Sequence, residues 1–177
     1  PMKSTFDLLH EAASAENFPL LIIGGLALQS YGVARQTLDI DCMIIESDLK
    51  KLDTELKKAG YGIAGKTESF CRYHHDSIYL MDVDVLLVNR DTAAKIAADG
   101  QKSRLQDKEF VIPSILHLIA MKLFAIKNSP DREQKDIADV SELLRLNKGV
   151  VSKSDLKDIC DKYCPAGLAG KVMGMIR

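Results

Sequence analysis

The stretch Leu20–Ile45, LLIIGGLALQSYGVARQTLDIDCMII, decides the fold reading. Leu20–Ile23 is a short, wholly apolar run ended by Gly24-Gly25. A run of that length reads as a buried strand rather than a helix. Leu26–Tyr31 then reads as a short helix stopped by Gly32. Leu38–Ile45 alternates, with Asp39 and Asp41 on one face and Ile40 and Cys42 on the other. Strand, glycine turn, helix and strand within 26 residues indicate a compact α/β unit.

The flanking sequence extends this pattern. Thr5 is a candidate cap for a first helix running to about Ala15, with Phe6, Leu9 and Ala13 on one face. Ser47 is the expected cap of a helix over Asp48–Ala59, whose stripe is Leu49, Leu52 and Leu56 and whose stop is Gly60. Tyr61–Tyr73 is ambiguous and contains short strands. Ile78–Val88, IYLMDVDVLLV, reads as one long strand. Thr92–Ala98 is a short helix, and Arg104–Ile112 an edge strand or hairpin. From Ser114 the pattern is helical to the end. Helix starts fall at Ser114 and Pro130, and two shorter helices begin at Ser154 and Pro165. The expected fold class is α/β (α+β): a small mixed sheet flanked by helices over residues 1–112, then a C-terminal helical layer over 113–177 packed on that core.

Composition bounds the function. The chain has 177 residues, 46% apolar and 28% charged, with a net charge of −1. Such a chain is globular, neither disordered nor fibrous. Its longest apolar stretch, Leu118–Ile126, is broken by Lys122 and is far short of the roughly 20 residues of a membrane span. Global charge carries no signature of nucleic-acid or membrane binding. The last thirty residues hold six basic side chains, Arg177 among them, against three acidic ones, a modest excess that leaves an RNA partner open. The four cysteines (Cys42, Cys71, Cys160 and Cys164) form no C-x-x-C pair, and no signal peptide is evident, so a cytoplasmic location is expected. Pro1 ahead of Met2 reads as a remnant of tag removal.

Chemistry is concentrated at the acidic strands. Residues i and i+2 of a strand point the same way, about 7 Å apart. Asp39 and Asp41 therefore place two carboxylates in one space, which is costly without a cation. Oxygen ligands of this kind suit Mg²⁺, with Mn²⁺ as an alternative. Glycines at 24 and 25 let a phosphate approach the backbone. Asp82 and Asp84 share a face of the later strand. Asp84 is preferred as a third carboxylate because the apolar run Val85–Val88 follows it directly, and Asp82 is its competitor. Three carboxylates could hold two ions about 3.5–4 Å apart across a phosphoryl displacement.

The pattern h-G-G, thirteen residues, D-h-D, then a later h-D-h strand resembles the nucleotidyltransferase superfamily of the polymerase-beta type. The segment VIPSILHLIAMKLFAIKNSPDREQKDIADVSELL, with Lys122 followed by Arg132, Lys135, Asp136 and Asp139, is similar to the AbiEii-type branch, which includes toxins of toxin–antitoxin systems. The resemblance spans about residues 20–146. It implies the nucleotidyltransferase fold and transfer of a nucleoside monophosphate from a nucleoside triphosphate to an acceptor hydroxyl. In that scheme Asp39, Asp41 and Asp84 are the metal-binding and catalytic residues, with Asp84 taking the acceptor's proton. Gly24, Gly25, Arg35, Thr37, Lys122, Arg132 and Lys135 face the nucleotide. The acceptor could be tRNA, a protein or a small molecule, and an antitoxin protein is an implied partner. Two departures stand out: Gly25 replaces the frequent serine of the turn, and only about 30 residues follow Leu146.

Plainer readings compete. The glycines could form an ordinary turn and the aspartates an exposed face. Lys122 could be a lysine at the edge of the core. Lys135, Asp136 and Asp139 could be a solvated helix face with Asp131–Lys135 and Lys135–Asp139 pairs. Arg35 and Thr37 could be turn and strand-entry residues. His74-His75-Asp76 reads as a polar turn rather than a metal or base site, and His117 as a packed core histidine. At the level of function, a catalytically inactive nucleotide-binding or protein-partner module on the same fold is the alternative, with a metal-dependent phosphohydrolase as a third reading.

Overall fold

A computed structural model describes residues 3–176, so the readings of Pro1, Met2 and Arg177 lie outside the described residues. The chain divides into two units. One comprises residues 1–26 and 36–113, the other residues 27–35 and 114–177.

The first unit carries a seven-stranded mixed sheet. Its strands are β1 (Leu20–Ile22), β2 (Asp39–Ile45), β3 (Gly62–Lys66), β4 (Phe70–His74), β5 (Asp82–Val88), β6 (Gln101–Leu105) and β7 (Lys108–Ile112). The order is β3-β4-β5-β2-β1-β7-β6. β2–β5 and β1–β7 are parallel, and the other neighbours are antiparallel. β2 lies at the centre, and its apolar residues Ile40, Cys42, Met43 and Ile44 are buried. Burial alternates at Asp39–Cys42 and becomes continuous from Cys42 onward. That change marks where the strand passes from an open polar face to cover on both sides.

Three helices belong to this unit: α1 (Thr5–Ala15), α3 (Leu49–Lys58) and α4 (Arg90–Ala98). The cap of α1 is Ser4, not Thr5: Ser4 and Asp7 form a reciprocal capping box. Thr5 is buried and its hydroxyl is used elsewhere, 2.9 Å from the Tyr61 hydroxyl. α3 presents Leu52 and Leu56 to the core. Ser47 does not cap it, because Glu46–Asp48 forms a 3₁₀ turn that leads directly into the helix. α4 begins earlier than expected, with the Asn89 side chain accepting from the Thr92 amide at 2.8 Å.

The long strand expected over Ile78–Val88 is shortened at its start to Asp82. β2 begins at Asp39, which is the register partner of Asp82, so residues before Asp82 have no parallel neighbour. The chain instead turns, with the Leu80 amide donating to the Ser77 carbonyl at 3.2 Å. Ile78 and Tyr79 are left exposed at 90% and 74%. The ambiguous segment after Tyr61 resolves into the β3–β4 hairpin, and Gln101–Ile112 into the β6–β7 hairpin.

The second unit is helical: α5 (Ile115–Asn128), α6 (Glu133–Leu146), α7 (Lys153–Tyr163) and α8 (Ala169–Met173), joined by residues 27–35. Ser114 caps α5 through the His117 amide, 3.2 Å away. Pro130 opens a 3₁₀ turn that runs into α6, as a proline at a helix start allows. α7 starts at Lys153, one residue before the expected Ser154, with Ser152 as its cap, and the last helix starts at Ala169 rather than at Pro165. Leu118, Ile119, Leu123, Ile126, Val140, Leu143 and Leu156 form its core. The Asn147 side-chain amide, at the end of α6, donates to the Tyr31 carbonyl at 3.1 Å. No described helix is long and apolar enough to cross a membrane.

Candidate active site

In the first unit, β4, β5 and β2 lie side by side, and their ionisable residues fall in two rungs. The inner rung is Arg72 (β4), Asp84 (β5) and Asp41 (β2). In the outer rung, Asp82 pairs with Asp39 in register, and His74 Nδ1 lies 2.7 Å from Asp82 Oδ1. Period-2 alternation on three neighbouring strands puts like-numbered rows on one face. Asp84 is the more buried of the two β5 carboxylates, its side chain 9% exposed against 38% for Asp82.

Gly24 adjoins this face, at the start of α2 (Gly24–Ser30), which begins on the glycines themselves rather than at Leu26. Gly24 has φ +61°, and a Cβ there would lie 2.1 Å from Asp41 Oδ2. Only glycine is compatible with both constraints. The Ile23 amide donates to the Asp41 carbonyl at 2.9 Å, which fixes the backbone beside the carboxylate. Thr37 donates its hydroxyl to Asp39 Oδ1 at 2.7 Å. The hydroxyl thus orients a carboxylate of the site.

Arg72 makes a bidentate pair with Asp84, Nε to Oδ1 at 2.6 Å and an Nη to Oδ2 at 2.5 Å. The same Nη lies 3.9 Å from Asp39 Oδ2. The hydrogen bonds and charge of Asp84 push the Arg72 guanidinium further above its already high pKa. Below this face, burial first and then the charges of Asp41 and Asp84 drive the Cys42 thiol far up, so it stays protonated.

The three expected carboxylates fit a preformed cage for two divalent ions poorly. Among the described residues, no group of three or more acidic, histidine or cysteine side chains is arranged to hold a metal ion. The reason is visible at Asp84, both of whose oxygens face Arg72. Asp39 and Asp41 retain the donor chemistry for a single hard ion, which takes one or two carboxylates plus phosphate oxygens.

The predicted cations Arg35, Lys122, Arg132 and Lys135 lie in the second unit, where the first three form a charge chain with Asp136 and Asp139. Lys122 Nζ is 2.7 Å from Asp136 Oδ1 and 2.8 Å from Asp139 Oδ2. Asp139 also receives Arg35 at 3.0 Å, and Asp136 receives Arg132 Nε at 3.0 Å. Asp136 is wholly buried and Asp139 nearly so, so they are not a solvated helix face. Asp139 pairs with Lys122 and Arg35 in place of the expected Lys135, which is exposed. Burial alone would raise the Asp136 carboxyl, but hydrogen bonds and charge from Lys122 and Arg132 outweigh it and hold it low. Two of the three Lys122 donors are therefore engaged by carboxylates.

Sequence reasoning missed Arg72 and misplaced His74. His74 ends β4 rather than lying in a polar turn, while the following His75 accepts from the Ser77 amide at 2.9 Å. The available signal was the spacing of Arg72 and His74, two apart like Asp82 and Asp84. His117 is only half-buried and lies 3.2 Å from the Ser114 hydroxyl.

No family model and no curated protein matches the sequence. Among solved structures, the chain is similar to ANT(2″)-Ia in complex with adenylyl-2″-tobramycin. There the identity is 16%, the alignment covers 94% of this chain and 91% of that one, and the TM-score is 0.58. It is similar to the lincosamide antibiotic adenylyltransferase LnuA with lincomycin bound, at 15% identity over 78% of this chain and 94% of that one, TM-score 0.57. An antigenic nucleotidyltransferase-like protein from Paracoccidioides brasiliensis matches at 14% identity over 96% and 90%, TM-score 0.57. The fold is that of the nucleotidyltransferases.

Proposed function

We propose that this chain transfers a nucleoside monophosphate from a nucleoside triphosphate to an acceptor hydroxyl, releasing pyrophosphate. The observation that carries this reading is the juxtaposition of Asp41 with Gly24, beside the register-matched Asp84. A side-chain-free backbone bend, with Asp41 in the space a Cβ would take, stands beside paired carboxylates, and this supports a phosphate chain and its counter-charge here.

The residues then have the following roles. Gly24 and Gly25 let the phosphates approach the main chain. Asp39, oriented by Thr37, and Asp41 would hold Mg²⁺ (Mn²⁺ as a substitute). When bound, the ion neutralises phosphate charge and polarises the phosphorus centre. The acceptor oxygen forms the new bond to the α-phosphorus as the bond to the bridging oxygen breaks. Asp84 would take the acceptor's proton. A carboxylate has about four lone-pair sites and Arg72 engages two of them. Positioning and charge, rather than covalent chemistry, supply the acceleration. The resemblance also proposes Thr37, Arg35, Lys122, Arg132 and Lys135 for the nucleotide; Arg35 and Arg132 are held by Asp139 and Asp136, Lys122 by both, and Lys135 is exposed.

The acceptor classes are tRNA, protein and small hydroxylated molecules. The tobramycin and lincomycin complexes of similar folds support the last of these. A toxin role with an antitoxin partner in the cytoplasm rests on the AbiEii-type resemblance of residues 20–146.

The test is to incubate the protein with each labelled nucleoside triphosphate and Mg²⁺, against tRNA, cell extract, or an aminoglycoside and lincosamide panel. Label should pass to one acceptor class with stoichiometric pyrophosphate, and Asp39→Asn and Asp41→Asn should each abolish it. Transfer that survives both substitutions would remove the assignment. Nucleotide binding without turnover on any acceptor would favour the binding-module reading.

A further inference from the structure

We propose that Arg72 is a positioning residue that occupies the place of a second divalent ion. The site then takes one ion readily, and another only in competition with the guanidinium. This rests on the proposed function above.

The geometry is specific. A second ion would have to be shared between Asp84 and the Asp39–Asp41 pair. Arg72 spans that gap, with 2.5 and 2.6 Å contacts to Asp84 and a 3.9 Å approach to Asp39. The guanidinium comes from β4, whose register sets Arg72 opposite Asp84, so it is delivered by the sheet and not by a mobile loop. Its planar fork satisfies both carboxylate oxygens at once, which a hydrated lysine ammonium does less well. Asp84 is only 7% exposed, and a carboxylate that buried needs a partner cation. Arg72 meets that need without any metal. Asp39, Asp41 and Asp84 carry three negative charges and Arg72 one positive. Asp82, the fourth carboxylate of the face, is bonded to His74 and stands in the outer rung.

The role predicted for Arg72 is to aim Asp84 while keeping the second-ion position filled. A purely structural arginine would change stability on removal but not the ion count.

The experiment is Mn²⁺ titration, by calorimetry and by electron paramagnetic resonance, on the full chain with a non-hydrolysable nucleoside triphosphate. Wild type should bind one Mn²⁺ tightly and a second at least tenfold more weakly. Arg72→Met should strengthen the second binding at least tenfold and the first by less, while Arg72→Lys should restore the gap. Two equally tight ions in wild type, or no change in Arg72→Met, would overturn the inference while leaving nucleotidyl transfer intact. No Mn²⁺ binding in wild type would remove both. If Arg72→Met does not fold, the wild-type stoichiometry still decides the question.

Discussion

Asp41 Oδ2 lies 2.1 Å from the point where a side chain on Gly24 would begin. The carboxylate and the glycine are complementary, each filling or leaving the space the other requires. Gly24→Ala would drive a Cβ into Asp41 and force alanine to φ +61°, a conformation costing roughly 1–2 kcal/mol. The expected outcome is loss of nucleotidyl transfer together with a stability loss greater than that, since the overlap with Asp41 adds to it. Gly25→Ala, where φ is not positive, should be milder. Urea denaturation alongside the transfer assay checks both variants.

Thr5 closes a buried triangle that holds the entry to β5. Its hydroxyl lies 2.9 Å from the Tyr61 hydroxyl and accepts from the Met81 amide at 2.9 Å, and Tyr61 donates to the Met81 carbonyl at 3.0 Å. Thr5→Val keeps the shape and removes the hydroxyl. It should cost about 1–3 kcal/mol in unfolding free energy, since the half-buried Met81 amide loses its acceptor. Hydrogen exchange at Met81 should accelerate, because that amide then lacks its partner. An unchanged Met81 exchange rate would contradict this account.

Lys122 neutralises two buried carboxylates at once. Lys122→Met should destabilise the protein by about 3–5 kcal/mol, because the buried Asp136 and Asp139 lose a shared cation. The triple variant Lys122→Met with Asp136→Asn and Asp139→Asn should recover much of that loss. Denaturant midpoints at neutral pH decide between charge burial and simple packing loss.

Acid should act through the same chain of charges. The Asp136 carboxyl is held below its ordinary 3.8 because Lys122 and Arg132 outweigh the effect of burial. A group with a depressed folded-state pKa contributes stability in full above its unfolded value and loses it as pH falls through the folded value. Stability should therefore decline as pH drops below about 4. Asp136→Asn should flatten that decline. The residual slope belongs in part to Asp7, which hydrogen bonds from Ser4 and then Lys108 hold down to about 2. An unaltered pH profile in Asp136→Asn would refute the assignment.

Much of the fold was legible in local patterns. Leu20–Ile22, Asp39–Ile45, Leu49–Lys58 and Ile115–Asn128 each show the period of their element, and Ser114 is an effective cap. The misses lie where another residue competes for the same part. Ser4 takes the cap from Thr5, and Ile78–Leu80 lacks the neighbouring strand that its alternation required. An apolar alternation makes a strand only where a ladder partner exists.

The sequence by itself determined that Asp39 and Asp41 share a face and that paired glycines stand between their strand and the preceding one. Those features depend on backbone periodicity over a few residues. Only the tertiary structure decided that Asp84 lies opposite Asp41, that Arg72 lies opposite Asp84, and that Lys122 is enclosed between Asp136 and Asp139. The reason is physical. Strand register and helix docking are set by the summed packing of whole faces, which brings together residues far apart in the chain, and no local spacing encodes which of them will meet.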